Sequence, residues 1–300
     1  MSDTWTLLAA LQWTAGFFEK QGVPSPRLDA EVLLGHVLSL PRIQLYAQYD
    51  RPLVPSERHD YRELVKRRAA GEPVQYLVGA QEFWSLPFAV ERGVLIPRPD
   101  TEVLVEEAVA FAKERAAAGV PVARVADVGT GSGAIAVALA HELEGAEVFA
   151  TDIADVPLRL APANAAANGV GERVRVLRGA GLLPAWDAAE RRPFQIVASN
   201  PPYIRAADYA GLMREVRDHE PREALVAGAD GLDVVRALVR EVATPGVLDP
   251  AGARVLIEIG DRDQAERTAE MLTNAGLSGA RIRDDYAGRP RVVVAGIQTG

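Results

Sequence analysis

From Val122 onward, short apolar runs alternate with segments of helical spacing, and this alternation limits the fold more than any other property of the chain. Strands are expected at 123–128, 146–151, 173–178, 194–199, 253–259, 279–283 and 290–296. Helices are expected at 132–143, 155–168, 231–243 and 262–275. Strands separated by helices build βαβ units, so the expected class is α/β: a Rossmann-like, doubly wound, mostly parallel sheet with helices on both faces. Only Asp284 to Arg289 separate the last two strands, too few residues for a crossover helix, so that pair is expected to be antiparallel. Pro162 is expected to kink or delay its helix, whereas the Ala-rich stretch Ala163 to Ala167 is simply good helix sequence.

The chain before Gly71 has a different pattern. Thr4 is expected to cap a helix running to Glu19, with Leu7, Leu8, Leu11, Ala15 and Phe18 as its apolar face. A second helix is expected over Asp29 to Leu38, a short third segment from Pro41, and a fourth from Pro55-Ser56 to near Gly71. Lys66-Arg67-Arg68 fall in the last turn of the fourth, where cations suit the helix dipole, and are expected to be a solvated helix end. From Gln75 to Ile96, apolar residues broken by Gly79, Pro87 and Gly93 predict a β-hairpin. Asp100-Thr101 is then expected to cap a helix ending near Ala118. The implied organisation is a helical domain (1–74), a hairpin linker (75–98) and an α/β domain (99–300).

Two strand ends carry chemistry. Val125-Ala126-Asp127-Val128 runs into Gly129-Thr130-Gly131-Ser132-Gly133-Ala134 and then a helix. Glycines allow a tight turn and let a ligand lie against bare backbone. Asp152, 19 residues after Gly133, closes the next strand, where a carboxylate can accept hydrogen bonds from both hydroxyls of a ribose. Taken alone, the loop also fits a dinucleotide site. Asp127 tilts the choice, because an acidic group there suits a ligand with a positive amino group, such as S-adenosylmethionine, and would repel a pyrophosphate. The second end is Asn200-Pro201-Pro202-Tyr203, after the apolar run from Phe194. Two prolines stop a strand, because both fix φ and neither donates an N–H. They leave an amide and an aromatic ring at the C-terminal edge of the sheet, where α/β proteins bind ligands. Asn-Pro-Pro-Tyr resembles the active-site tetrapeptide of methyltransferases that methylate a planar nitrogen, and this supports adenosylmethionine as the ligand of the glycine loop.

Such a nitrogen is a poor nucleophile, because its lone pair is delocalised. The Asn200 side-chain oxygen and the Pro201 carbonyl offer two acceptors for its N–H groups, and Tyr203 a ring to stack on it. The rigid Pro-Pro turn keeps the ordering cost low. The tetrapeptide does not separate a protein glutamine from an adenine. A net charge of −8 argues mildly against a dedicated nucleic-acid binder, which needs clustered cations. No cysteine and only four scattered histidines make a metal site unexpected. The start, Met1-Ser2-Asp3-Thr4-Trp5, lacks a signal-peptide layout, and no apolar run approaches the ~20 residues that span a bilayer, so no membrane contact and a cytoplasmic location are expected.

Further segments narrow the family. Gly71-Glu72-Pro73-Val74-Gln75-Tyr76-Leu77-Val78-Gly79 with Glu82-Phe83, the stretch Val94-Leu95-Ile96-Pro97-Arg98-Pro99-Asp100-Thr101-Glu102, the loop Glu220-Pro221-Arg222-Glu223-Ala224-Leu225 with Gly228 and Asp230-Gly231-Leu232, and Asp284 to Arg291 all resemble the peptide-chain release factor glutamine N5-methyltransferases. The resemblance implies a class I methyltransferase domain behind a small helical domain that grips the release factor. It implies that Asp127, Gly129, Thr130, Gly131, Ser132, Gly133, Asp152, Ile153, Gly181 and Asn200 hold adenosylmethionine. It implies that Asn200 to Tyr203 hold the glutamine of a Gly-Gly-Gln loop, with Phe83, Pro97 and Arg98 near the entrance, and that Glu220 touches substrate or braces the loop. A monomer is expected. The alternatives are a ribosomal-protein glutamine or an adenine-N6 methyltransferase. One departure stands out: where the family has an acidic then an aromatic residue after the third strand, this chain has Ala180-Gly181, which offer the adenine only backbone and predict a roomier or differently closed pocket.

Overall fold

The structure, a computed structural model, describes residues 5–297. Two compact units divide it: one holds the residues up to Ala80 together with Met213–His219, the other Gln81–Leu212 together with the residues from Glu220 on.

In the first unit, α1 (Leu7–Lys20), α2 (Pro26–Leu38), α3 (Arg42–Ala47), α4 (Pro55–Ala69) and α5 (Val74–Val78) surround a core that includes Leu7, Leu11, Phe18, Leu33, Leu34, Leu45 and Tyr61. The expected cap at Thr4 lies outside the described residues; Thr6 accepts from the Ala9 N–H and caps α1. Helix α2 begins at Pro26, three residues earlier than expected, because proline suits the first helical position. Val74–Val78, of which Gln75 to Val78 were assigned in advance to the hairpin, is helical and ends on Gly79 in a left-handed conformation. The basic end of α4 is not uniformly solvated. Arg68 is buried and pairs with the buried Asp29 and with Glu215, each at 2.7 Å, while Arg67 and Lys66 pair with Glu72 and Glu63. An unpaired cation at that depth would be costly, so its acid partner comes from another helix.

In the second unit, β1 (Ala80–Phe83) and β2 (Leu86–Ala89) form a hairpin. Its turn residues Trp84 and Ser85 have φ of 55° and 56°, the mirror-image turn that matches strand twist. Such angles are unfavourable without glycine. The turn is held by Trp84, whose backbone N–H donates to Glu102 and whose indole donates to Glu142.

Then follow α6 (Glu102–Ala117), β3 (Arg124–Val128), α7 (Ala134–Glu142), β4 (Glu147–Asp152), α8 (Asp155–Ala167), β5 (Val174–Arg178), α9 (Leu183–Ala188), β6 (Ile196–Ser199), α10 (Arg214–His219, part of the first unit), α11 (Asp233–Val242), β7 (Ala253–Glu258), α12 (Arg262–Asn274), β8 (Ser278–Asp284) and β9 (Pro290–Ile297). The short helices α9 and α10 were not expected; each has six residues, too few to show a helical period. Helix α8 continues through Pro162.

The sheet order is β5-β4-β3-β6-β7-β9-β8, with β9 antiparallel to both neighbours and the other pairs parallel. Side chains alternate faces along each strand. Val125, Val148, Ile196 and Leu256 join Leu104 and Leu139 on one face. Ala126, Phe149, Val197 and Val255 join Leu238 and Leu272 on the other. Phe149 and Phe194 meet edge to face at 5.9 Å in this second core, and truncating either ring to alanine costs about 3–5 kcal/mol.

Candidate functional site

The strand order reverses at β3, which lies between β4 and β6, and this places a crevice at the C-terminal ends of those strands. The register pairs Val128 with Ser199, and the Ser199 hydroxyl donates to the Val128 carbonyl at 2.7 Å. Gly129 and Asn200, the next residues, therefore leave the sheet side by side. A cavity of about 240 Å³ lies there, lined among others by Gly129, Thr130, Gly131, Ser132, Asp152, Ile153, Gly181 and Asn200. Pro97, Arg98, Phe83, Pro201 and Pro202 also line it.

The glycine loop is held from within. Asp127 is fully buried, and its Oδ2 accepts from the Thr130 hydroxyl at 2.6 Å and from the Ala136 N–H at 3.1 Å. Its Oδ1 has no partner. Burial pushes the Asp127 carboxyl up to about 7, against the downward pull of those two hydrogen bonds. A buried acceptor without a donor is expensive; Asp127 itself does not line the cavity, which begins at Val128 of β3. Asp152 accepts from the Gly131 N–H and the Ala154 N–H, both at 3.0 Å, one on each oxygen. A carboxylate has about four acceptor sites, so it retains capacity for two hydroxyls. Gly129 and Gly131 have positive φ, and a side chain at either would point into open space rather than protein. That is a cradle a ligand can fill, and the residues present fit adenosylmethionine. Gly133 differs: it does not line the cavity, and a Cβ there would stand 3.0 Å from Ala161. Its role is close packing of α7 against α8.

After β5, Ala180 and Gly181 line the cavity without a polar side chain. The segment is closed by other means. The Thr151 hydroxyl donates to the Gly181 carbonyl at 2.8 Å, and the Leu182 N–H donates to Glu241 of α11 at 2.5 Å.

At the second strand end, the Asn200 side-chain N–H donates to the Thr101 hydroxyl oxygen at 3.2 Å. Tyr203 does not line the cavity. Its carbonyl accepts from Gln264 at 2.8 Å, and its ring lies so close to Gly260 that a Cβ there would stand 2.9 Å away. Burial raises the Tyr203 phenol to about 12, so it stays protonated. Phe83 forms part of the cavity wall, but it is 1% exposed and packs edge to face with Phe88 in the core. Arg98 forms an ion pair with buried Glu220, whose other oxygen accepts from the Ile96 N–H at 3.4 Å. Glu220 thus braces the Ile96-Pro97-Arg98 segment.

Three contributors escaped the sequence reading. Thr101 was taken as a helix cap, yet its side chain makes no capping bond and faces Asn200 instead. Glu258 ends β7 as a buried carboxylate, the same signal that singled out Asp152. Asn164, within the Ala-rich stretch, bonds both polar groups of the Ala89 backbone and the Ser132 carbonyl, clamping the hairpin to the glycine loop.

Residues 9–79 match the family described as the PrmC N-terminal domain, and residues 113–201 match that of ribosomal protein L11 methyltransferase (PrmA). The release factor glutamine methyltransferase of Geobacter sulfurreducens is 42% identical over 291 residues, 97% of this chain and 96% of that protein. That of Rhodopirellula baltica is 38% identical over 97% of each chain. Among solved structures, the hMettl16 catalytic domain in complex with the MAT2A 3′UTR hairpin 6 superposes with a TM-score of 0.53 at 18% identity, covering 79% of this chain and 82% of that one. That likeness bears on the fold alone, which is that of class I methyltransferases. Methyl transfer is the activity and adenosylmethionine the methyl donor. With full-length relatives near 40% identity and a matching N-terminal domain, the chain belongs to the release factor glutamine methyltransferase family.

Proposed function

We propose that this protein methylates the side-chain nitrogen of the glutamine in the Gly-Gly-Gln loop of bacterial peptide chain release factors. The observation that carries this reading is the side-by-side exit of Gly129 and Asn200 from adjacent parallel strands into one cavity. When bound, adenosylmethionine supplies an electrophilic methyl on its sulfonium. Asp127 would take the amino group, and Asp152 the ribose hydroxyls. The Asn200 Oδ1 and the Pro201 carbonyl accept the two N–H bonds of the glutamine amide and hold its nitrogen in line with the methyl. Holding two reactants in attack geometry is worth up to about 7–11 kcal/mol of barrier. The donor would give its methyl to the amide nitrogen and remain as the thioether, and the amide proton would then pass to solvent. No strong base is needed first. Pro97 and Arg98, set by Glu220, shape the entrance, with Phe83 as its wall.

In this reading, the helical segment (1–74) recognises the release factor, the hairpin region (75–98) links, and residues 99–300 carry the chemistry. The protein works as a cytoplasmic monomer without nucleic acid. Among the described residues, no helix is long and apolar enough to cross a membrane. The match to the ribosomal-protein enzyme covers residues 113–201 only, whereas release factor enzymes are similar over 97% of the chain, which favours the release-factor acceptor.

Incubation with labelled adenosylmethionine and a folded bacterial release factor tests the reading. Label on the Gly-Gly-Gln glutamine, located by peptide mass spectrometry, is expected; no transfer to a folded release factor would sink it.

A further inference from the structure

We propose that Gln264, in the first turn of α12, positions the Asn200-Pro201-Pro202-Tyr203 turn for catalysis by tying the backbone just beyond the prolines to two neighbouring loops. The inference rests on the reading of Asn200 and Pro201 as the groups that grip the acceptor nitrogen.

The turn needs a tether that its prolines cannot supply. Ser199 is the last residue of β6 in register with β3 and β7. Pro201 and Pro202 have no N–H to donate, and a proline ring fixes φ but leaves ψ free. Ring rigidity alone therefore does not set where the Pro201 carbonyl points. The chain is next pinned by a backbone pair at Ile204, whose N–H donates to the Leu225 carbonyl at 2.8 Å. Between Ser199 and Ile204, the group open to a tether is a carbonyl.

Gln264 binds that carbonyl. Its side chain is buried, and its Nε2 donates to the Tyr203 carbonyl at 2.8 Å and to the Asp230 carbonyl at 3.0 Å. Its Oε1 accepts from the Gly260 N–H at 3.0 Å. A carbonyl only accepts and a backbone N–H only donates, so these three partners admit one orientation of the amide. The base of the side chain is fixed as well: the Gln264 N–H donates at 2.9 Å to the side chain of Asp261, the N-cap of α12. One side chain thus joins the active-site turn, the loop at Asp230 and the end of β7 to the start of a helix.

The packing around this amide leaves no slack. A Cβ on Gly231 would stand 2.1 Å from the Tyr203 carbonyl oxygen and 2.4 Å from Gln264 Nε2. One on Gly260 would stand 2.9 Å from Tyr203 Cδ2 and 3.0 Å from Gln264 Oε1. Two glycines let the amide and the tyrosine close against each other, which a side chain at either place would prevent. Neither Gln264 nor Tyr203 lines the cavity, whereas Asn200, Pro201 and Pro202 do. Gln264 therefore acts through the turn as a positioning residue, and Tyr203 is the handle by which α12 holds it.

Gln264→Met keeps the length of the side chain and removes both N–H groups. With a bacterial release factor as substrate and saturating adenosylmethionine, it is expected to lower kcat about 10²-fold, the cost of a small misplacement of reacting groups. KM for the release factor and affinity for adenosylmethionine should each stay within about twofold, because Gln264 touches neither. Gln264→Asn stays polar but withdraws the amide by one methylene; it should show the same split, and it carries the test if the methionine variant does not fold. Glu266→Gly, at an exposed position of the same helix, is the control for stability alone. It should lower Tm by about 2 °C and leave kcat within about twofold. Retained kcat in the Gln264 variants, a loss that falls on KM instead, or an equal loss of kcat in Glu266→Gly would overturn the proposal. A second arm needs no substrate. Amide hydrogen exchange, followed by mass spectrometry on peptides holding Tyr203 and Ile204, should be about fivefold to tenfold faster in Gln264→Asn than in the wild type and unchanged in Glu266→Gly. Equal exchange in Gln264→Asn and the wild type also overturns the proposal. If the wild-type protein methylates no release factor, the functional reading fails, and the exchange arm still decides whether Gln264 holds the turn.

Discussion

The two halves of the site are built in opposite ways. The glycine loop of the proposed donor end is largely local: Asp127 is held by Thr130 and Ala136, three and nine residues away, and the turn relies on left-handed glycines. The acceptor end is assembled from distant parts of the chain. Asn200 bonds Thr101, 99 residues before it, and Arg98 pairs with Glu220, 122 residues after it. A site built from neighbours is placed by its own turn. One built from remote segments is placed by the sheet and its packing, and is therefore open to disruption from several directions. The donor end should therefore tolerate damage at the acceptor end.

The strongest way to break this separation is Asn200→Ala. It is expected to lower kcat by about 10³-fold, the upper range for losing one preorganised hydrogen-bonding group, with adenosylmethionine affinity retained by calorimetry. Joint loss of both would show the two ends to be one unit.

Asp127→Asn attacks the donor end and is expected to weaken adenosylmethionine about tenfold, by loss of one charge-assisted hydrogen bond. The wild-type carboxyl titrates near 7, so donor affinity should tighten as pH rises through about 7, and the variant should lose that dependence. Stability runs the other way. Burial raises both Asp127 and Glu258 to about 7 from ordinary values of 3.8 and 4.5. Between those limits, the folded chain binds more protons than the unfolded one, so unfolding free energy falls as pH climbs from about 4 to about 7. Urea titrations across that window should show the fall in the wild type and a shallower one in Asp127→Asn.

The smallest effect is expected from Arg98→Ala. The ion pair is partly screened, because the Arg98 side chain is 35% exposed, but Glu220 at 1% is left buried without this cation. KM for the release factor should rise about threefold to fivefold at unchanged donor affinity, with about 1–2 kcal/mol of stability lost in urea unfolding. An unchanged KM would move Arg98 from the entrance to a purely bracing role.

The sheet was legible in advance because strand and helix periods are printed in the chain itself: the seven strands fall within two residues of their expected starts. The glycine loop and the Pro-Pro stop were legible for a similar reason, since φ preferences and missing N–H groups belong to single residues. The division of labour within the loop was not, because only the 3.0 Å approach of Ala161 separates packing Gly133 from cradling Gly129.

Sequence alone determined a doubly wound methyltransferase with a glycine loop ending one strand and Asn-Pro-Pro-Tyr ending another, the proposed donor and acceptor ends. Tertiary structure alone decided that Arg68 is buried against Asp29, that Phe83 is a wall, and that Thr101 serves Asn200 rather than its own helix. The physical reason is the same in each case. A hydroxyl, a guanidinium or a ring has several partners open to it, and which one wins depends on desolvation and distance to residues far away in the chain.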